Sequence, residues 1–159
     1  MNWNWDAISA VSSALGGLGV IVSVFFLVYE VRRNAQAIEG ATVQGLMSLE
    51  RDVFTVLADN AELFSRGRRD RAALSEEDMF RFDKIAGSYM SLVYSAFVQF
   101  QERLIDDETW EAYVNAVRAH LAHPGFCDSW DEAKIGYPKS FRVMVDRDAR
   151  PMIDHTGKA

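Results

Sequence analysis

The chain is predicted to be all-α, and three observations predict it. Apolar residues recur at spacings of three and four over long proline-free runs. Acids and hydroxyl residues stand where those runs begin, and glycine or proline where they end. No run alternates apolar and polar residues as a half-wet strand does. The expected architecture is a single N-terminal transmembrane helix continuing into a long stalk helix. The stalk packs antiparallel with a second long helix, and two to three short helices cover the pair. Three segments result: an anchor over residues 1–33, a cytoplasmic helical domain over 34–149 and a tail over 150–159.

The anchor reading rests on the stretch from Ala7 to Tyr29, AISAVSSALGGLGVIVSVFFLVY, which has no charged residue and no proline. At roughly 1.5 Å per residue a helix over it is about 30 Å long or slightly more, the thickness of a bilayer's hydrocarbon core. A secretory signal peptide fits poorly. The leading MNWNWD has no Lys or Arg, no small-x-small cleavage site follows, and the run exceeds the usual apolar core of about 7–15 residues. Arg32 and Arg33 flank the far end, so the positive-inside bias places the N-terminus outside and the rest in the cytoplasm. Trp3 and Trp5 suit the outer interface and Tyr29 the inner one. Ser9, Ser13 and Gly17 fall at i, i+4 and i+8, with Ser12 and Gly16 beside them. Such a flat face lets helix backbones approach closely, and it predicts association with itself or with another membrane subunit.

The helical pattern continues past Glu30. Ile38, Thr42, Gly45, Leu49, Val53 and Val56 form the expected buried stripe of the stalk, with the polar patch NAQAIEGATVQG as the expected place for a bend. Asp59 or Asn60 caps a short helix over 62–66 that Gly67 ends. Ser75, followed by Glu76, Glu77 and Asp78, opens the second long helix over 76–104. Its inner face is Phe82, Ile85, Tyr89, Leu92, Val93, Ala96, Phe97, Phe100 and Leu104. Asp106 or Asp107 caps a helix over 108–121, with Trp110, Val114, Val117 and Leu121 inside. Pro124 starts a helix over 124–135 carrying Phe126 and Trp130, and Gly136 ends it. Pro138 starts the last helix, through Phe141, Val143, Met144 and Val145, and a loose polar tail begins at Arg150.

Five pieces carry a resemblance: NWDAISAVSSALGGLGVIVSVFFLVYEVRRNAQA, ADNAELFSRG, LSEEDMFRFD, LIDDETWEAYVNAVRAHLAHPGFCDSWDEAK and YPKSFRVMVD. In that order they resemble a family of short uncharacterised bacterial proteins with one N-terminal transmembrane helix and a cytoplasmic all-helical domain. The resemblance spans nearly the whole chain and implies that fold and address. It carries over no catalytic or binding residue. Members often have a tryptophan pair where this chain has Ser129 and Trp130, which implies slightly different packing there.

Composition and motifs narrow the chemistry. The formal charge is −6, and since Asp6 and Glu30 cancel Arg32 and Arg33, all of it falls on residues 34–159. An acidic domain repels phosphate backbones, which argues against nucleic acid as a partner. Cys127 is the single cysteine, so no intramolecular disulfide forms. His120, His123 and Cys127 are three possible metal ligands, but they straddle a helix end and a proline break. The expected roles are a helix cap, a surface histidine and a buried thiol, with no metal or cofactor. The clusters 76–78 and 106–108 are acids at helix starts, where the helix dipole favours them. No Glu-x-x-His pair, nucleophile elbow or phosphate-binding glycine loop occurs.

Arg66, Arg68, Arg69 and Arg71 form the one basic cluster. At the end of a straight stalk it stands about 40 Å from the membrane core, well beyond the screening length of about 8 Å. It is read as a solvated loop, with a docking patch for an acidic partner as the alternative. The expected function is a membrane-anchored interaction protein without chemistry of its own, a homo-oligomer or an accessory subunit of a larger membrane complex. Its partners are then the lipid bilayer and itself or other membrane subunits. A signal relay is the alternative, and an enzyme the least supported reading.

Overall fold

The described residues form six α-helices: α1 (Trp5–Asp59), α2 (Ala61–Arg69), α3 (Glu76–Gln101), α4 (Asp107–Leu121), α5 (Pro124–Ala133) and α6 (Lys139–Met144). A 3₁₀ turn (Lys134–Gly136) follows α5, and a π turn (Val145–Ala149) follows α6. The structure, a computed structural model, describes the backbone of residues 5–150 and the side chains of residues 17, 19–38 and 40–150. Among these there is no strand, and the fold is all-α. Two compact units divide inside α1, one ending at Ala41 and the other beginning at Thr42.

α1 is one helix from Trp5 to Asp59, the polar patch at 34–45 included. Every described residue from Gly19 to Tyr29 is exposed. Among the described residues, no helix is long and apolar enough to cross a membrane. The transmembrane expectation extends over residues 7–16 and 18, whose side chains lie outside those described.

The second unit is built on α3. Its start is a capped N-terminus, with Ser75 Oγ accepting a hydrogen bond from the Asp78 backbone N–H (3.1 Å) and acids filling the first turn. It ends three residues earlier than the apolar pattern suggests. Arg103 adopts φ 59°, its N–H bonds Phe100 O (3.0 Å), and the Leu104 N–H bonds Gln99 O (2.9 Å). That pairing is a Schellman termination, made here without the usual glycine. From Phe82 to Phe97 the expected inner face is buried, and Ala86 and Met90 join it. The face is wider than one stripe because α2, α4 and α5 all pack on this helix.

Where α1 enters this unit, its buried face shares Val53 and the half-buried Thr42 with the expected one and otherwise differs from it. Leu46 and Val53 are buried and Val43, Glu50 and Leu57 half-buried. Ile38, Leu49 and Val56, assigned inward by the apolar pattern, are 55%, 37% and 41% exposed. The observed line is rotated by about one residue, or about 100° of helix. The expected path carries no charge, whereas the real face has an acid, Glu50, at its centre. Leu46 clusters with Ala96 and Ile105, and Arg81 donates to Asn60 Oδ1 (3.3 Å). From Thr42 onward α1 is therefore antiparallel to α3, touching it through side chains, while α2, α4 and α5 approach α3 more closely.

Gly67 was expected to end a helix, and instead it lies buried inside α2. A Cβ there would sit 2.4 Å from Phe82 Cδ2, so the bare backbone is what admits the Phe82 ring. Asn60 precedes α2 without a capping side-chain bond, since its amide donates back to Val56 O (2.9 Å). Asp106 caps α4 by accepting from the Thr109 N–H (2.7 Å), and hydrogen bonding to the Thr109 side chain first, then to its N–H, holds the carboxyl below the usual range.

The C-terminal pieces close the core. Phe141 is fully buried against Tyr94, Phe97, Trp130 and Tyr137, with ring centroids 5.2–5.9 Å away. Trp130 is buried and donates to Asp146 Oδ1 (3.3 Å), and Tyr137 donates to Gly87 O (3.3 Å). Val143, expected inside, is 51% exposed, because one turn of α6 offers only its Phe141 and Met144 side to the core. Arg150, expected to begin a loose tail, is held by Asp131 and Asp146 and donates to Cys127 Sγ (3.0 Å).

Candidate functional site

The residues singled out in the sequence fall in three places. Of the small-residue face, the side chains of Ser9, Ser12, Ser13 and Gly16 lie outside those described. Gly17 is described, and a Cβ built on it meets nothing within 4 Å. Of the interfacial set, Trp3 and the Trp5 side chain lie outside the described residues, while Tyr29, Arg32 and Arg33 are exposed. Beside them Val20, Ile21, Val22, Val24, Phe25, Phe26, Leu27 and Val28 are each 46–72% exposed, on every side of the helix.

The arginine cluster is divided by the fold. Arg71 lies on the connection between α2 and α3, with its guanidinium drawn inward. Nε and Nη2 meet the two oxygens of Asp83 at 2.7 and 2.6 Å, and Nη2 also meets Glu132 Oε2 at 2.6 Å. Hydrogen bonds to Asp83 hold its proton even more firmly than usual. Arg66 pairs with Asp78 (3.1 Å), and Arg69 donates to Ser65 O (3.1 Å). Arg68 has a buried Nε with no partner. Two of the four charges are thus paired within the chain, which leaves a weaker basic patch than the sequence suggested.

Arg71 ties α3 to α5, and its side chain is only 14% exposed. Replacing it with methionine strands Asp83 opposite Glu132. Arg71→Met is expected to cost about 1–3 kcal/mol, between the values for exposed and buried pairs. Glu132 is 70% exposed, so Glu132→Gln is expected to cost under about 0.5 kcal/mol. Paired urea unfolding curves check both.

His120, His123 and Cys127 do not converge. His120 turns into the core, its ring 4.4 Å from that of Tyr89 and 5.2 Å from that of Phe126. His123 is the residue before Pro124 at the start of α5, with no side-chain capping bond, and Cys127 meets Arg150. Among the described residues, no group of three or more His, Cys, Asp or Glu is placed to hold a metal.

Burial, then the charges of Arg68 and His123, push the His120 imidazole down to about 4 from 6.5. Below pH 6.5 the unfolded chain binds a proton that the folded chain refuses until about pH 4. The stability that neutral His120 contributes is therefore complete above pH 6.5 and lost as pH falls toward 4. The urea midpoint is expected to drop between pH 7 and pH 5, and His120→Phe to remove most of that drop. An equal drop in the variant would assign it to other groups.

The sequence did not reveal a cleft walled by α1, α3 and α4. Its volume is about 400 Å³, and its lining is mainly apolar, with Leu46, Met47 and Phe54 from α1, Leu92 from α3 and Ile105 from the α3–α4 turn. Ala112 and Ala116 on α4 are small enough to leave it open. Glu50, Tyr89 and Tyr113 bring polar groups to it. Burial first, and then the Glu50 charge, raise both phenols above the usual tyrosine range. The available signal was Glu50 itself, an acid on the line Val43, Leu46, Val53 and Leu57.

Together these features define a class: an all-helical domain preceded on the same helix by an exposed, predominantly apolar segment. Compared with protein families, with curated proteins and with solved structures, the chain finds no match.

Proposed function

We propose that this is a membrane-anchored helical interaction protein without chemistry of its own, working as a homo-oligomer or as an accessory subunit of a larger bacterial inner-membrane complex. One observation carries the reading: from Gly19 to Tyr29 every residue is exposed, around the full circumference of α1. Burying a large aliphatic or aromatic side chain stabilises by about 1.5–3 kcal/mol. A helix apolar on all sides therefore needs a surrounding that covers all sides, and lipid is such a surrounding. The segment is also rich in β-branched valine and isoleucine, which are indifferent helix formers in water. In hydrocarbon the helix is favoured because it satisfies its own backbone hydrogen bonds.

On this reading Trp3, Trp5 and Tyr29 mark the two interfaces, and Arg32 and Arg33 keep the C-terminal domain cytoplasmic. Ser9, Ser12, Ser13, Gly16 and Gly17 form the face on which helices meet in the membrane. The test is alkaline carbonate extraction of membranes from cells making the full chain, followed by native mass measurement after gentle solubilisation. Retention in the membrane pellet, and a mass above that of one chain that Gly17→Leu lowers, are expected. Release into the carbonate supernatant would overturn the anchor, and a lone monomer would overturn the association.

A further inference from the structure

The cleft between α1, α3 and α4 lies wholly within the unit that begins at Thr42, so it exists whether or not α1 enters lipid. About 400 Å³ is within the range of small-molecule sites, which are mostly apolar with a few placed polar groups. Here the polar groups have one sign. Glu50 is half-buried, and among the described residues it has no ion-pair or hydrogen-bond partner in the chain. Glu108, the second charged residue of the lining, is also acidic. Tyr89 and Tyr113 line the same cleft as Glu50.

We infer that this cleft is a binding site for a small organic monocation, an ammonium group on an apolar body. The cation sits on the Glu50 carboxylate beside the half-buried Tyr113, and the body fills the space between Leu46, Leu92 and Ile105. A carboxylate supplies the opposite charge, and aromatic faces attract cations through their quadrupole. An anion meets Glu50 and Glu108 with repulsion. A neutral ligand of the same shape leaves Glu50 desolvated without compensation. Recognition here is therefore expected to discriminate by charge first and by shape second.

The test uses the full chain in zwitterionic lipid nanodiscs at pH 7, titrated calorimetrically with 2-phenylethylammonium and with 2-phenylethanol, empty nanodiscs being the blank. The ammonium is expected to bind at least about tenfold more tightly than the alcohol. Glu50→Gln should erase that difference while leaving the thermal unfolding midpoint within a few degrees. Ala116→Leu, which fills the open side of the cleft from an exposed position, should abolish binding of both probes. Equal affinity for the two probes, or an unchanged preference in Glu50→Gln, would overturn the inference. So would no binding at millimolar ammonium, including the case in which a second copy of the chain already closes the cleft.

Discussion

Gly125→Ala is expected to be among the most damaging single-methyl additions in this protein. A Cβ at residue 125 would lie 2.0 Å from the Gly67 carbonyl oxygen and 2.8 Å from the Arg71 backbone nitrogen. Both obstacles are backbone, so no side-chain rotation relieves them. α5 and α2 touch main chain to main chain here, and a methyl group must drive them apart. That separation also loosens the Phe64, Phe82 and Phe126 rings packed around the contact. The expected loss is about 3 kcal/mol, at the upper end of what overpacking usually costs. Gly136→Ala is the control, since a Cβ there meets nothing within 4 Å, and its effect should stay within about 0.5 kcal/mol. Urea unfolding of the full chain in mild detergent, followed by circular dichroism, measures both. If the two variants unfold alike, α2 and α5 are not in backbone contact.

Phe141→Ala carries the second large effect. The side chain is fully buried, and four aromatic rings surround it. Removing it deletes the hydrophobic transfer of a whole ring and leaves a cavity that rigid neighbours fill poorly. Losses of about 3–5 kcal/mol are usual for such a change. Val143→Ala, two residues along the same short helix, should change stability by less than about 0.5 kcal/mol because that side chain is half in solvent. The same unfolding curves serve, and the ratio between the two variants is the informative quantity. Comparable losses at 141 and 143 would mean that α6 packs in a different rotation.

The pair 141 and 143 also shows how far sequence reasoning reaches. Both are apolar and both stand on a predicted helix, but a helix of one or two turns has too few positions to reveal its phase. α3 is long enough, and its inner face from Phe82 to Phe97 was legible apart from Ala86 and Met90. Its start was equally legible, because Ser75 and the acids after it act within one turn of chain. Its end was not. The turn at Arg103 uses a left-handed residue that is not glycine, and no local signal marks it.

The stalk illustrates a different failure. Its buried line contains Glu50, and an apolar-periodicity argument steps around an acid to find a cleaner stripe. What makes Glu50 acceptable there is the cleft beside it, which leaves the acid only half-buried and is walled by α3 and α4, far away in the chain. The cleft escaped notice for the same reason, since it belongs to three helices at once. Gly67 was misread as a helix end because a glycine in a helix carries two meanings. Only the position of Phe82, fifteen residues on, distinguishes a stop from a close contact.

By itself the sequence determined the helical class, the order of the helices, the N-terminal caps of α3 and α4 and the apolar run from Ala7 to Tyr29. Each of these depends on residues within a turn or two of one another, through capping bonds, helix dipoles and the 3.6-residue period. Tertiary structure decided which face of α1 is covered, why residues 67 and 125 are glycine, where Arg71 spends its charge and that a cleft opens beside Glu50. Those outcomes depend on the distance between segments remote in sequence, and a local pattern carries no information about that distance.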